Sequence, residues 1–533
     1  MSRCSALFLP AALITLALQG GIPQAQADGS SAASPAAGSA AAGPDRVAAE
    51  TAAAKVLDSI RDNPARLTPF LRAFPKGADL HNHLVGAVWA EQFLDWAAAD
   101  GLCADPQTGQ ISAPPCRNGM QPAKKTLEDG DARTRMIDAL SMRDFVPTGQ
   151  DRSGHDHFFA TFAKFMPAAN GHDGDMLASA MRQAARDHVL YLELMVSPRL
   201  FPAAKLGEKL DTDTEREIGP ALDTLMPQMP AFVSGARADM DNAQARAHEE
   251  LGCGTPSAEP ACGVTVRYLY QTVRTMPPGM VLAQLALGYQ LKKSDPRFVG
   301  VNIVAPEDDR ISLRDYTLHM QMFRELSRRE PGVPLSLHAG ELSEKLVPPE
   351  DLRFHIRQAV EIAGARRIGH GVDIMQEDDP SGLMVEMAKK NILVEINLTS
   401  NDEILGVKGA DHPLMTWRDH QVPVALSTDD EGVSRGSLTT EYHRAVLDYP
   451  LSYTDLKDIS RAGLEYAFVP GDSLWETDAG WKMKPVCAEI SPETAPQTGA
   501  CHDFLAGNEK ARLQWSLEGA FVRFERQAAG NTF

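Results

Sequence analysis

The chain has 533 residues, and its hydrophobic content of 43% is enough to bury the core of one large or two ordinary domains. Its 71 Asp and Glu outnumber 52 Lys and Arg, and the net charge of −19 argues against binding to the phosphates of nucleic acid. After the N-terminal segment no stretch of sequence is apolar enough to cross a bilayer, which argues against an integral membrane protein.

Residues 1–27 have the three parts of a secretory signal peptide. Arg3 supplies a positive charge, Ala6–Leu18 form an apolar segment, and Ala25-Gln26-Ala27 offers a small-x-small cleavage site. The apolar segment is short for a membrane anchor, which is the alternative interpretation. We therefore expect export to the periplasm or the extracellular space, with no membrane attachment after cleavage.

The cysteines agree with export. Cys4 lies in the signal peptide, and the other six fall into neighbouring pairs. An oxidising compartment favours disulfides over free thiols, and pairing of neighbours is the simplest connectivity. No C-x-x-C is present, so the sequence does not favour a thiolate zinc site. The expected disulfides are Cys103–Cys116, Cys253–Cys262 and Cys487–Cys501.

Residues 28–44 consist mainly of Ala, Ser, Gly and Pro and predict a flexible linker. An N-terminal helical arm is predicted over 45–74, as two helices at Asp45–Arg61 and Pro64–Ala73. After it, eight apolar runs typical of strands alternate with longer, often helical stretches. The runs are Ala78–Leu80, Val189–Val196, Val264–Val273, Phe298–Val304, Pro334–Leu337, Arg367–Ile368, Leu393–Leu398 and Pro423–Leu426. Helices between or after them are predicted at Val88–Ala99, Met176–Asp187, Leu313–Arg329, Pro349–Ala363, Ser381–Lys390 and Leu438–Asp448.

This alternation predicts an α/β fold over residues 75–533, a (β/α)8 TIM barrel with loop insertions. A doubly wound open sheet is the alternative. Polar motifs follow several strands that are far apart in sequence, and a closed barrel brings such strand ends together at one mouth. Segments at about 101–150, 204–262 and 470–505 each carry one cysteine pair and are predicted to be disulfide-clipped insertions.

The motifs at the strand ends contain the residues for metal chemistry. His81 and His83 are one residue apart, so a strand presents both on one face. With His338 and one carboxylate of Asp429-Asp430 they make a ligand set that suits a borderline metal such as zinc. One Asp of the pair should bind the metal, and the other should bind water or substrate.

Glu341 and His370 are then available for proton transfer. Gly369 and Gly371 flank His370 and permit close approach to its ring. Together with the metal set, these residues predict hydrolysis by an activated water. A second H-x-H motif, His155-Asp156-His157, follows no strand, and we predict that it lies at the surface or in a loop where a helix begins.

These motifs resemble the adenosine deaminase family. They occur in family order and cover the barrel from about Pro75 to Arg444. The signal peptide, the helical arm and the clipped insertions more loosely resemble the secreted adenosine-deaminase-related growth factor branch. The resembling segments are Pro75–Gly86, Leu337–Glu341, Arg367–Gly371 and Ser427–Asp430.

The resemblance implies a role for each residue. Glu341 would protonate the purine nitrogen next to the reacting carbon, His370 would orient and help deprotonate the attacking water, and Asp430 would hydrogen-bond the other purine ring. Substrate would contact His83, Ala305 and Asp430. One Zn²⁺ per chain would be bound by His81, His83, His338 and Asp429.

The implied partner is a small-molecule purine nucleoside, and the implied reaction is zinc-dependent hydrolysis of adenosine or 2′-deoxyadenosine to inosine or 2′-deoxyinosine and ammonia. Another aminopurine, a modified nucleoside or a nucleotide is an alternative substrate. A secreted nucleoside-binding or signalling protein with a vestigial site is an alternative of another class. A two-metal amidohydrolase usually has a bridging Lys on a middle strand, and Phe298–Ala305 contains none.

The chain departs from the family pattern near the substrate. Asn302–Glu307 stands where the family usually has D-L-x-G-x-E, so Ala305 replaces a glycine whose N–H would reach purine N3. Alanine keeps that N–H but adds a methyl group, and Pro306 stiffens the loop. Met195 stands where arginine is common, and Glu431 where proline is frequent.

Overall fold

The computed structural model describes residues 44–149, 151–210, 218–476 and 480–530. The predicted signal peptide and nearly all of the predicted linker lie outside these residues. Eight parallel strands form the centre of the described chain. We number them β1 Gly77–His83, β2 Val189–Val196, β3 Thr265–Val273, β4 Phe298–Val304, β5 Ser336–Ala339, β6 Arg367–His370, β7 Leu393–Ile396 and β8 Val424–Leu426.

The strands close into a barrel. β1 to β4 pair in order as one parallel sheet, and β5 to β8 pair in order as another. Isolated parallel bridges join the two sheets at both edges, Asn82 with Asp429 and Val301 with Leu335. The predicted (β/α)8 barrel is therefore confirmed, and the open sheet is wrong.

Helices cover the outside of the barrel and extend beyond it. The α-helices are α1 Pro44–Ile60, α2 Pro64–Ala73, α3 Ala90–Ala99, α4 Ala123–Glu128, α5 Gly130–Ala139, α6 Gly154–Ala169, α7 Asp173–Arg186, α8 Leu200–Gly207, α9 Ile218–Leu225, α10 Met229–Glu250, α11 Pro278–Ser294, α12 Arg310–Arg329, α13 His355–Gln358, α14 Pro380–Lys390, α15 Leu398–Ser400, α16 Leu414–Asp419, α17 Leu438–Asp448, α18 Tyr453–Glu465, α19 Pro485–Ala488, α20 Ala500–Gly507 and α21 Glu509–Ala529. In the described part of the chain, no helix combines the length and apolar character needed to span a membrane.

The predicted helix Pro349–Ala363 is wrong as a single element. A 3-10 turn, Pro349–Leu352, is followed by α13 and then by a π-helical turn, Ala359–Ala363. Phe354 interrupts the helix with φ −149°. Glu377 stabilises the new start, because its carboxylate accepts from the backbone N–H of Ile356 at 2.6 Å.

Helices α1 and α2 occupy the predicted arm and pack against the C-terminal helix α21. The ring of Phe70 meets Phe524 edge-on at 5.0 Å between centroids. Arg46 donates to Glu518 at 2.8 Å. This buried aromatic contact and ion pair tie the two ends of the described chain together.

The cysteine pairing is confirmed by sulfur–sulfur distances of 1.94, 1.96 and 1.97 Å. Around the first disulfide, short strands at Cys103–Ala104, Ile111–Ser112 and Gln121–Pro122 form a small antiparallel sheet. The second lies just after α10, a helix in the connection between β2 and β3. The third joins α19 to α20 beside a small apolar cluster that includes Leu474 and Trp515.

Candidate active site

The structure brings the four predicted metal ligands together at the carboxyl-terminal mouth of the barrel. Their ligand atoms all lie within 4.8 Å of one another, and all four residues are buried. Nε2 of His83 is 3.3 Å from Nε2 of His338. Asp429 Oδ1 is 3.4 Å from Nε2 of His81 and 3.2 Å from Nε2 of His83.

Each of the three histidines has its other ring nitrogen against a side-chain oxygen. An oxygen acceptor at Nδ1 places the proton of a neutral imidazole on Nδ1 and leaves the Nε2 lone pair facing the centre. The acceptors are Glu395 for His81 at 2.8 Å, Gln271 for His83 at 2.9 Å, and Asn302 for His338 at 2.8 Å.

This donor set fits a divalent cation. Lone pairs of three imidazoles and a carboxylate oxygen converge, and they would repel one another without a positive charge between them. Within the described chain, Nε2 of His81 has no hydrogen-bond partner. Burial and the neighbouring His81 lower the pKa of His338 well below its usual range, so its lone pair is free to bind a metal.

Excess negative charge surrounds His81. Burial acts to lower the pKa of His81, but Asp429 and Glu395 outweigh it and raise the pKa to about 10. Burial acts to raise the pKa of Asp429, but its contacts with His81 and His83 outweigh burial and hold that pKa well below its usual range. The site therefore requires positive charge, which a proton or a metal ion can supply.

Glu341 and His370 lie beside the metal ligands. Nε2 of His370 is 3.6 Å from a carboxyl oxygen of Glu341 and 3.9 Å from Asp429 Oδ2. Burial, with the charges of Asp429 and Glu307, raises the pKa of Glu341 well above its usual range. Burial lowers the pKa of His370 to about 3. Burial therefore favours the neutral form of both side chains, the carboxylic acid at Glu341 and the imidazole at His370.

Asp430 is a buried carboxyl that lines the cavity next to the metal ligands. Burial, with the nearby Asp429, raises its pKa to about 7. Its Oδ1 has no hydrogen-bond partner within the described residues. Gly86 packs directly against it: a Cβ at Gly86 would lie 1.5 Å from Asp430 Oδ1, so only glycine fits there.

Three non-glycine residues of the site have left-handed backbones, with φ of 72° at His370, 59° at Asp429 and 84° at Ala305. Such backbones are costly and are found where the surrounding structure holds a side chain in a required direction. Ala305 thus has a conformation natural to the glycine that it replaces.

A cavity of about 930 Å³ opens from the metal ligands towards α6. Ala305 and Pro306 line it, and so do the aromatic side chains of Phe158, Phe159 and Phe162. Its volume lies in the range of small-molecule sites. The lining arginines are both engaged by carboxylates: Arg199 donates to Asp239 at 2.6 Å, and Arg246 donates to Asp175 at 2.7 Å.

The second H-x-H motif lies outside the metal site. It falls at the start of α6, as predicted, with His155 hydrogen-bonded to Asp308 at 3.0 Å. His157 is buried rather than on the surface. Its Nδ1 contacts Asp151 at 2.5 Å and its Nε2 faces backbone carbonyls, so both ring nitrogens have partners.

Sequence reasoning missed the residues that orient the ligands. Glu395 interrupts the otherwise apolar β7, and a polar residue inside a buried strand was the available signal. Gln271 lies in β3 among other polar residues such as Arg267 and Thr272, so no local pattern distinguishes it. Glu395 is held in turn by the buried Arg367, which donates to it at 2.6 Å. Ser400 donates to Asp429 Oδ2 at 2.6 Å. No local pattern marks Ser400, because its role depends on where the chain turns after β7.

The fold and the site define a (β/α)8 barrel with a cluster of candidate metal ligands at its mouth. Residues 144–476, more than half of the chain, match the family described as adenosine deaminase. The chain therefore belongs to the adenosine deaminase family. The matched range includes His338, Glu341, His370 and the Asp429-Asp430 pair but begins after His81 and His83.

Known relatives match parts of the chain. The adenosine deaminase of Salmonella schwarzengrund is 37% identical over 145 residues, 27% of this chain and 40% of that protein. That of Clostridium perfringens is 29% identical over 181 residues, 34% of this chain and 51% of that protein. The chain thus spans about half or less of these relatives. The structure of the N6-methyl-AMP deaminase from Arabidopsis thaliana has 18% identity and a TM-score of 0.49 over 75% of this chain and 94% of that one.

Proposed function

We propose that the protein is a hydrolytic deaminase that converts adenosine or 2′-deoxyadenosine and water to inosine or 2′-deoxyinosine and ammonia. The observation that carries this proposal is the convergence of three oriented histidines and Asp429 beside Glu341, a buried acid whose pKa is raised. His81, His83, His338 and Asp429 would hold one zinc ion, for which a set of nitrogen and oxygen ligands is suited. When bound, zinc lowers the pKa of water at the site towards about 7.

The protein's own residues handle the substrate and its protons. The Glu341 carboxyl donates a proton to N1 of the purine while the water oxygen bonds to C6, and the electron pair of the C6–N1 double bond moves onto N1. Of the two protons that the water loses, one regenerates the Glu341 acid and the other converts the amino group to ammonia, whose bond to C6 breaks as the carbonyl forms. His370 Nε2 lies beside the Glu341 carboxyl, 3.6 Å from one of its oxygens, and orients the water. Asp430, next to the metal ligand Asp429, hydrogen-bonds the second purine ring, and the Ala305 N–H faces purine N3.

The cavity favours an unphosphorylated substrate. A phosphate would require a free cationic partner in the lining. Arg199 and Arg246, the only Arg or Lys among the described lining residues, are already paired with carboxylates. This supports a nucleoside over a nucleotide, which is the second substrate class to be tested.

A substrate panel tests the proposal. Purified protein is given adenosine, 2′-deoxyadenosine, adenine, AMP and N6-methyladenosine, and ammonia release is measured before chelation, after it, and after zinc is restored. Turnover of adenosine that chelation removes and zinc restores is expected. No turnover of any aminopurine by zinc-loaded protein supports the nucleoside-binding alternative. Turnover that survives complete metal removal contradicts the zinc site.

The two H-x-H motifs provide matched variants. His81→Ala should lose bound zinc and activity together, because it removes a ligand. His155→Ala should keep both, since His155 contacts Asp156 and Asp308 away from the metal ligands. Equal zinc content in the two variants would contradict the ligand assignment.

We also infer export, from the signal-peptide pattern of residues 1–27. The three disulfides support it, because they persist in oxidising compartments. Cell fractionation followed by N-terminal sequencing should find a mature chain that begins at Asp28 outside the cytoplasm. A full-length chain retained in the cytoplasm would contradict this inference.

A further inference from the structure

Beneath the mouth, a chain of hydrogen bonds leads from the backbone to His370. The N–H of Leu414 donates to Nδ1 of His412 at 3.1 Å. Nε2 of His412 meets Oδ1 of Asn401 at 3.0 Å, and Nδ2 of Asn401 meets Nδ1 of His370 at 2.9 Å. His412, Asn401 and His370 are all buried.

The direction of every bond follows from the first one. A backbone N–H can only donate, so Nδ1 of His412 must accept. Burial lowers the pKa of His412 to about 4, so the ring is neutral and its one proton is on Nε2. That N–H donates to Asn401 Oδ1, which directs the Asn401 amide N–H towards His370. Nδ1 of His370 therefore accepts, and Nε2 of His370 carries the proton.

We propose that His412 and Asn401 are positioning residues that fix the tautomer of His370 with its Nε2–H pointing into the active site. This inference rests on the proposed function for its catalytic consequence, but the tautomer itself does not. Nε2 of His370 has no hydrogen-bond partner within the described chain, since its nearest carboxyl oxygens are 3.6 and 3.9 Å away. Its N–H is free to donate to a third group.

The tautomer determines what His370 contributes. A neutral imidazole that carries its proton on Nε2 has no lone pair there, so it cannot take a proton from water on that side. It can instead donate a hydrogen bond to a lone pair on the oxygen of the attacking water, which fixes the direction from which that oxygen approaches. His370 thus acts as a fixed donor, in place of the help with deprotonation that family resemblance implies.

Nitrogen NMR measures the tautomer directly. The full chain, labelled with ¹⁵N-histidine and loaded with zinc, should show a His370 with a protonated Nε2 and an unprotonated Nδ1. The resonance is identified by its loss in a His370→Asn variant. A protonated Nδ1 on His370 in the wild-type protein would overturn the proposal, whether or not the protein deaminates any substrate.

Two substitutions at His412 separate the hydrogen bond from the packing. His412→Gln retains an N–H for Asn401, and His412→Leu fills similar space without one. We expect the Gln variant to keep the tautomer and a kcat within about threefold of wild type. The Leu variant should lose roughly 100-fold in kcat, the scale of a misaligned catalytic group, with little change in KM or zinc content.

The outcomes are distinct. If the two variants have equal kcat and the same His370 spectrum, the proposal is wrong. If the Leu variant does not fold, the wild-type spectrum still decides the question. If the wild-type protein has no deaminase activity but shows the expected tautomer, the proposed function fails and the hydrogen-bond assignment stands.

Discussion

Glu341 and His370 lie side by side at the mouth, and burial favours the neutral form of each. Burial disfavours the charged form of both, which raises the pKa of the acid and lowers that of the base. Asp429 adds to the effect on Glu341 because a second negative charge nearby is unfavourable. Glu341 is therefore better suited to donate a proton than an exposed glutamate, whose carboxyl is ionised at neutral pH.

Replacing Glu341 by Gln removes the transferable proton but keeps the size of the side chain. We expect kcat for adenosine to fall by about 10²- to 10⁴-fold, the usual contribution of a general acid, with zinc still bound. Ammonia release and metal analysis measure the two effects. Glu525→Gln is the matched control, because Glu525 is a buried acid with a raised pKa on α21, away from the mouth. Near-normal turnover in Glu341→Gln would refute its role as proton donor.

Ala305 is one of the residues at which the sequence departs from the pattern that it otherwise resembles. Its backbone is left-handed, with φ of 84°, and this conformation costs about 1–2 kcal/mol for a residue with a side chain. Restoring glycine should raise the free energy of unfolding by about 1 kcal/mol, and kcat/KM should not decrease because the N–H remains. Urea denaturation and adenosine kinetics measure these effects.

A glycine placed at an ordinary backbone provides the comparison for Ala305→Gly. Ala283 lies in the middle of α11, where glycine is about 1 kcal/mol less favourable than alanine. Ala283→Gly should therefore destabilise the protein. If both variants lose stability equally, the left-handed backbone of Ala305 carries no strain.

Among the elements, the end of β4 supports the turn that follows β5. Glu307 accepts from the backbone N–H of Gly340 at 3.1 Å and of Glu341 at 2.8 Å. It also contacts Nδ1 of His355 at 2.6 Å, on the short helix α13. All of these partners can donate to a carboxylate, and an amide in its place would turn its own N–H groups towards at least one donor.

Glu307→Gln should therefore misplace the turn that carries Glu341. We expect kcat to fall by roughly 100-fold, as for a shift of about 1 Å in a catalytic group, while zinc content is retained. His338 keeps its ring in place through Asn302 at 2.8 Å, which is why the metal should remain. The same substitution at Glu518, a buried acid paired with Arg461 on α18, is a control for loss of a buried carboxylate. A fall in kcat of the same size there would show that the effect is general destabilisation.

The sequence predicts the strands better than the connections between them. Val189–Val196, Phe298–Val304 and Leu438–Asp448 have the predicted bounds, because their hydrophobic patterns continue to the ends of the elements. β1 is longer than the predicted Ala78–Leu80, since His81 and His83 continue the strand as buried polar residues. Local pattern cannot show that a buried polar side chain has partners on other strands.

At the scale of the whole molecule, closure of the barrel makes the site. His81, His338 and Asp429 come from β1, β5 and the end of β8, and the bridge between Asn82 and Asp429 brings the first and last strands together. The motifs therefore predict the ligand set, because parallel strands of a barrel end at one mouth. The hydrogen-bond chain through His412 and Asn401 could not be predicted, since it depends on the π-helical turn Asn401–Leu405 after β7.

The whole molecule also buries ionisable groups that make its stability depend on pH. His319 on α12 is fully buried, neither ring nitrogen has a hydrogen-bond partner in the described residues, and burial lowers its pKa to about 4. Glu403 acts in the opposite direction, because burial raises its pKa to about 8. Comparing a variant with wild type isolates one group from this sum.

We expect His319 to destabilise the fold as the pH falls from about 6.5 to about 4. In this interval the unfolded chain takes up a proton on the histidine and the folded protein does not. Proton binding therefore stabilises the unfolded state relative to the folded state. Above about pH 6.5 both states are neutral and the effect vanishes. Replacing His319 by Leu should therefore make the free energy of unfolding less dependent on pH, by at most about 3 kcal/mol over the interval. Urea denaturation at pH 7 and at pH 4.5 measures the difference. Equal losses of stability in the variant and in wild type would contradict the prediction, because they would mean that His319 takes up its proton without unfolding.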